Sequence, residues 1–212
     1  MRWLERIRKP MPAGTMGQKA AAAAGALLLG TVLGIFAKYM DGPLPGWLHA
    51  VDAALDFHNF LGGFGPWLWI AVCLSLASRT PWQAAARVFF FFAGMVAGYY
   101  IYGWYVLGFF PRQYAAIWVA FTLVSPVLAF LCWYAAGQGP AALLLSAGIL
   151  GVMYHTAFAW GMFYLDVRSW LNVGVLCLTV WALHRSWRRT VGALGLGILV
   201  ALCLDFLPLP IW

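Results

Sequence analysis

Along most of the chain the apolar residues come in long unbroken runs, not in alternation with polar ones. Seven stretches read this way: 20–39, 61–77, 83–109, 114–136, 141–164, 170–184 and 191–207. A spanning helix needs about 20 largely apolar residues. A barrel strand would alternate instead. In lipid, backbone polar groups must be satisfied within their own segment, so the runs predict helices. Turn signals separate them: Asp41-Gly42-Pro43, Thr80-Pro81, Pro111, Gly137 to Pro140, Asp166 to Ser169, and His184 to Thr190. The expected fold is all-α, a polytopic transmembrane bundle of seven spans, or six if the short second or sixth segment is re-entrant. Ser125-Pro126 lies mid-span and should kink or break the fourth helix.

Composition agrees. Hydrophobic residues make up 64% of the 212 and charged residues 9%, where a soluble domain carries about 25% charged. The mean hydropathy is +0.83. These values exclude a disordered chain, a nucleic-acid partner and nearly every soluble enzyme fold; the partner is the lipid bilayer. The net charge of +7 is clustered beside the apolar runs, which encodes orientation. With a cytoplasmic amino end, ten basic residues fall inside (five of them before Ala20, then Arg79, Arg87, Arg185, Arg188 and Arg189). Lys38, Arg112 and Arg168 stay outside, and so do residues 208–212. The chain divides into a basic cytoplasmic segment, 1–19, and a single transmembrane domain, 20–212. The amino end superficially resembles a secretory signal, but its apolar run is longer than a signal core and reads as a retained first helix. Near 45–58 an outer amphipathic helix is expected, with His49, Asp52 and Asp56 spaced along one face. The four cysteines lie inside apolar runs without a CxxC, as packing residues.

Intramembrane charge is costly and marks candidate chemistry. At about 1.5 Å per residue, Asp205 lies roughly 21 Å from the inner edge of the last span, some 9 Å below the outer edge. His155 reaches a similar depth and Lys38 lies near the outer edge, where it could pair with Asp205. Tyr99, Tyr100 and Trp118 add rings that can stack on a flat or cationic ligand. These six residues form the predicted ligand layer. No metal or cofactor is expected. Gly30-x-x-x-Gly34 and Gly94-x-x-x-Gly98 permit close helix contact, within the chain or, through Gly30 and Gly34, with a partner membrane protein. HExxH, GxSxG, Walker and paired-aspartate signatures are missing, and Glu5 is the only glutamate.

The stretches Val88-Phe-Phe-Phe-Phe-Ala-Gly-Met-Val-Ala-Gly-Tyr-Tyr100 and Ser125-Pro-Val-Leu-Ala-Phe-Leu-Cys-Trp-Tyr-Ala-Ala-Gly-Gln-Gly139 resemble an uncharacterised family of small bacterial multipass membrane proteins. That resemblance covers most of the chain, rests on apolar motifs and carries no activity. In size and layout the chain is also similar to the substrate-binding membrane subunits of energy-coupling-factor vitamin importers, an architectural analogy. The expected function is small-molecule binding or transport across a bacterial inner membrane, the ligand entering an aromatic and polar pocket in the outer half. The alternatives are a non-catalytic accessory or scaffold subunit, and an intramembrane enzyme.

Overall fold

The computed structural model describes residues 2–12, 14–108, 110–161 and 164–206. Residues 208–212, placed outside by the charge pattern, lie beyond them. Among the described residues the chain is helical: α1 (Arg2–Ile7), α2 (Met16–Met40), α3 (Gly46–Leu55), α4 (Phe57–Gly62), α5 (Gly65–Leu76), α6 (Pro81–Leu107), α7 (Arg112–Ala135), α8 (Gly139–Ala157), α9 (Trp170–Leu183) and α10 (Trp187–Phe206). Five of them, α2, α6, α7, α8 and α10, are long and apolar enough to cross a membrane. Leu28 and Val32 on α2 and Leu123 and Val127 on α7 are more than half exposed, which suits contact with lipid.

Local chemistry sets the helix ends. At the start of α2, Gln18 N donates to Thr15 Oγ1 while Thr15 N donates to Gln18 Oε1, a reciprocal capping box that begins the helix four residues before the apolar run. Thr80 accepts from Gln83 N, Pro81 opens α6, and Gly108 closes it at φ 64°. Ser169 caps α9 by accepting from Asn172 N.

Two expectations need correction. The fifth apolar run does not stay helical to Tyr164. α8 stops at Ala157, and Phe158–Trp160 (β1) pairs antiparallel with Leu165–Val167 (β2). Hydropathy carries no mark of this change, because aromatic residues that favour strands are as apolar as helix formers. Nor does Pro126 break α7, which runs through it. Proline removes the N–H that would bond the Thr122 carbonyl. Ser125 Oγ donates to that oxygen at 2.8 Å in its place.

The chain forms two compact units. One holds Pro10–His58 and Ala71–Trp133. Its centre is the crossing of α2 with α6. A Cβ at Gly30 or Gly34 would strike the carbonyls of Phe91 and Met95, and one at Gly94 or Gly98 those of Leu27 and Thr31. The two glycine pairs thus serve each other, bringing backbone against backbone at Cα–H···O range. Both pairs are used inside the chain, the first of the two readings that the spacing allowed, and nothing here supports the second, a partner protein at Gly30 and Gly34.

The other unit holds α1, Asn59–Ile70 and the chain from Tyr134. Ala193, Gly197 and Ala201 recur every four residues on α10, and Gly197 approaches Gly151 of α8. The Arg189 guanidinium donates to the carbonyls of Ala135 and Gly137, acceptors at and just beyond the end of α7, and to that of Ala142 in the first turn of α8. Gln138 N donates to Ile7 O at 2.7 Å and so fixes α1 to the same turn.

Candidate functional site

In the α8/α10 unit three ionisable side chains converge. His155 sits two residues before the end of α8 and is 3% exposed. Its Nδ1 lies 3.0 Å from Asp205 Oδ1, near the end of α10. Arg168 Nη2 reaches the same oxygen at 3.5 Å. The β1–β2 turn makes this possible: it folds the chain back so that Arg168 N donates to Ala157 O at 2.9 Å. Asn172, on the first turn of α9, donates through Nδ2 to Thr156 O at 3.1 Å and pins the last turn of α8. One carboxylate is therefore held between an imidazole and a guanidinium. Its other oxygen, Oδ2, is buried with no hydrogen-bond partner among the described residues. A carboxylate accepts bonds at both oxygens, so this one has acceptor capacity left for a further donor.

The α2/α6 unit holds a second polar group. Lys38, expected at the outer edge of the first span, is 9% exposed. Its Nζ lies 3.2 Å from Asp41 Oδ2, 3.5 Å from Tyr99 OH and 4.9 Å from the centre of the Tyr99 ring. Tyr99 OH donates to the same Asp41 oxygen at 2.7 Å. The carboxylate that partners Lys38 is thus Asp41, while Asp205, drawn to it in the sequence reading, is engaged by His155 and Arg168. Tyr100 is buried against Tyr99 and Phe110, edge to face, and its hydroxyl has no partner among the described residues. Trp118 belongs to another aromatic run, between Tyr114 and Phe121.

The six predicted residues therefore fall into sets. His155 and Asp205 meet in one unit. Lys38, Tyr99 and Tyr100 meet in the other, where Trp118 packs separately. Sequence reasoning left out Arg168, Asp41 and Asn172. A usable signal existed for the first two. Lys38 and Arg168 are basic residues on the side that the charge bias leaves poor in them, and each needs a counterion there. Asn172 gave no such sign. The expected polar face of the amphipathic helix is also rearranged. Asp52 turns to His58, with 2.7 Å from the His58 N–H and 2.8 Å from its Nδ1. Asp56 ends α3 in the left-handed region at φ 54°. An open groove of about 480 Å³ runs over the α2–α6 crossing, with Leu27, Ile35, Ala97, Ile101 and Val106 in its walls. It touches none of the six. No group of three or more metal-binding side chains occurs among the described residues.

Compared with known families, curated proteins and solved structures, the chain matches none. Function must be read from the site itself.

Proposed function

We propose that this chain is a multipass protein of a bacterial inner membrane that binds a small organic solute, as a transporter or as the binding subunit of one. The solute docks at Asp205, held by His155 and Arg168. The observation that carries this reading is the buried Asp205 Oδ2, which has no donor among the described residues. Leaving a buried carboxylate oxygen unbonded costs at least about 1–3 kcal/mol. Charge near the end of a spanning helix is retained where it meets a ligand or an ion. A solute bearing N–H or O–H groups supplies the missing bond. Seven spans with the amino end in the cytoplasm belong to the same proposal. The scaffold alternative is weaker, because Gly30 and Gly34 pack against α6.

The test is native mass spectrometry of the protein extracted gently from its own membrane, wild type beside Asp205→Asn. The expected result is a retained species of a few hundred daltons, lost in the variant while its thermal unfolding is unchanged. A co-purified protein with no small molecule, or a small molecule equally retained by Asp205→Asn, overturns the reading.

A further inference from the structure

The short helix that follows α2 covers its polar face and exposes its apolar one. On α3, Trp47, Val51 and Leu55 recur every four residues and share a face with Ala50 and Ala54. The three larger ones are 71%, 41% and 50% exposed, and no residue of α3 is buried. His49 and Asp52 lie on the opposite face. There the Asp52 side chain is only 15% exposed, with its two oxygens engaged by the N–H and Nδ1 of His58. A helix resting on a protein in water turns its apolar face inward and leaves its carboxylates out. The reversed order on α3 calls for an apolar medium around Trp47, Val51 and Leu55.

The way α3 is tied down says what that medium is. Its start, Gly46, is five residues beyond Asp41, hence within about 18 Å of it. Asp41 is bound to Lys38 in the last turn of α2. The other end of α3 is stapled through Asp52 to His58 on the first turn of α4. Beside His58, the Phe57 ring packs edge to face on Phe36 of α2, with centroids 6.4 Å apart. α2 is long and apolar enough to cross a membrane, and Leu28, Val32 and Phe36 form an exposed apolar stripe along it. That lipid-facing stripe leads to Phe57, two residues beyond Leu55. Both ends of α3 are thus held at the end of one spanning helix, and its apolar face follows on from a surface that meets lipid.

We propose that α3 is a lipid-docking helix. It lies in the headgroup layer at the Lys38 end of α2, with Trp47, Val51 and Leu55 sunk about 5–10 Å toward the acyl chains. Trp47 suits that depth, because indoles settle at the headgroup level. Residues 42–62 contain two aspartates and no lysine or arginine. The docking therefore draws on apolar area and not on headgroup charge. The inference needs α2 to span and does not involve the Asp205 centre, so either can fail alone.

The experiment uses the full chain with its four cysteines replaced by serine, reconstituted into phosphatidylcholine vesicles. Ala54→Cys on the apolar face, or His49→Cys on the polar one, carries an environment-sensitive nitrobenzoxadiazole label. Brominated acyl chains should quench the label at 54 and spare that at 49. Iodide, present on both sides of the vesicle, should do the reverse. Adding phosphatidylglycerol should change neither result. Trp47→Ser combined with Val51→Ser, both at exposed positions, should abolish bromine quenching at 54 and leave the unfolding temperature unchanged. Equal quenching of both positions by iodide overturns the proposal, since α3 would then stand in water. Shielding of 54 from both quenchers also overturns it, because a second copy of the chain would be the cover. So does bromine quenching that requires phosphatidylglycerol, or that persists in the double variant.

Discussion

Three aspartates differ in what their oxygens meet among the described residues. Asp52 meets His58 through both oxygens and Asp41 meets Tyr99 and Lys38 through Oδ2, whereas Asp205 has a buried Oδ2 with no hydrogen-bond partner among the described residues. For Asp52, the bond from the His58 amide, the largest cause, holds the carboxyl below its usual range. A depressed folded pKa means that the ionised form favours the fold. The α3–α4 junction is therefore fully supported above the unfolded carboxylate value of about 3.9, and support fades as pH falls through the lower folded value. Amide exchange over residues 46–62, corrected for intrinsic rates, should accelerate in that acid window in the wild type. In Asp52→Asn it should be fast throughout and show no such step. Arg189 presents the same contrast for a cation. Its planar fork meets carbonyls that a lysine could reach singly at most. Arg189→Lys should cost about 1–3 kcal/mol in detergent unfolding, and Arg188→Lys close to nothing.

At the scale of elements, the glycines divide by what surrounds them. Gly34→Leu and Gly98→Leu put side chains where backbone carbonyls stand, so α2 and α6 cannot close. Each should lower the unfolding temperature sharply. Gly25→Ala and Gly195→Ala meet open space inside long helices and should stabilise by up to about 1 kcal/mol. Ranking the four by thermal unfolding checks the crossing directly; equal effects would mean that α2 and α6 do not pack through their glycines. The G-x-x-x-G spacing was visible in the sequence, but a spacing does not say whether the mate is on another helix of the same chain. The Thr15–Gln18 capping box is equally legible, although hydropathy starts the span only at Ala20. The end of α8 was not legible, since Phe158 to Tyr164 is as apolar as the helix before it. The site was half legible. His155 and Asp205 stand out as polar residues in apolar runs, but their meeting with Arg168 depends on the β1–β2 turn. The Ser125 hydroxyl that compensates Pro126 could have been read, because it precedes the proline and can reach the orphaned carbonyl.

For the whole molecule the open question is how many times the chain crosses. α5 and α9 have 12 and 14 residues, about 18 and 21 Å of helix against about 30 Å of hydrocarbon. Each needs flanking chain to complete a crossing. Parity bears on both. Met11 N donates to Arg79 O, so the chain on either side of α2 and α5 returns to one surface. That return needs an even number of crossings, which α2 supplies only together with α5. Gln138 N meets Ile7 O across α2, α5, α6 and α7, and again the number is even only if α5 counts. Arg189 reaches the Gly137 carbonyl across α8 and α9, which requires α9 as well. The proposed seven crossings count both α5 and α9. Single cysteines at Arg79, Arg112, Arg168 and Arg185, in a background with the four native cysteines replaced by serine, should divide by an impermeant thiol reagent. Positions 79 and 185 should label from the side of the amino end, and 112 and 168 from the other. If 79 and 112 exchange sides, α5 is re-entrant. If 168 and 185 label from one side, α9 is re-entrant. In the first case the bonds of Met11 and Gln138, and in the second the bond of Arg189, could not survive in a bilayer.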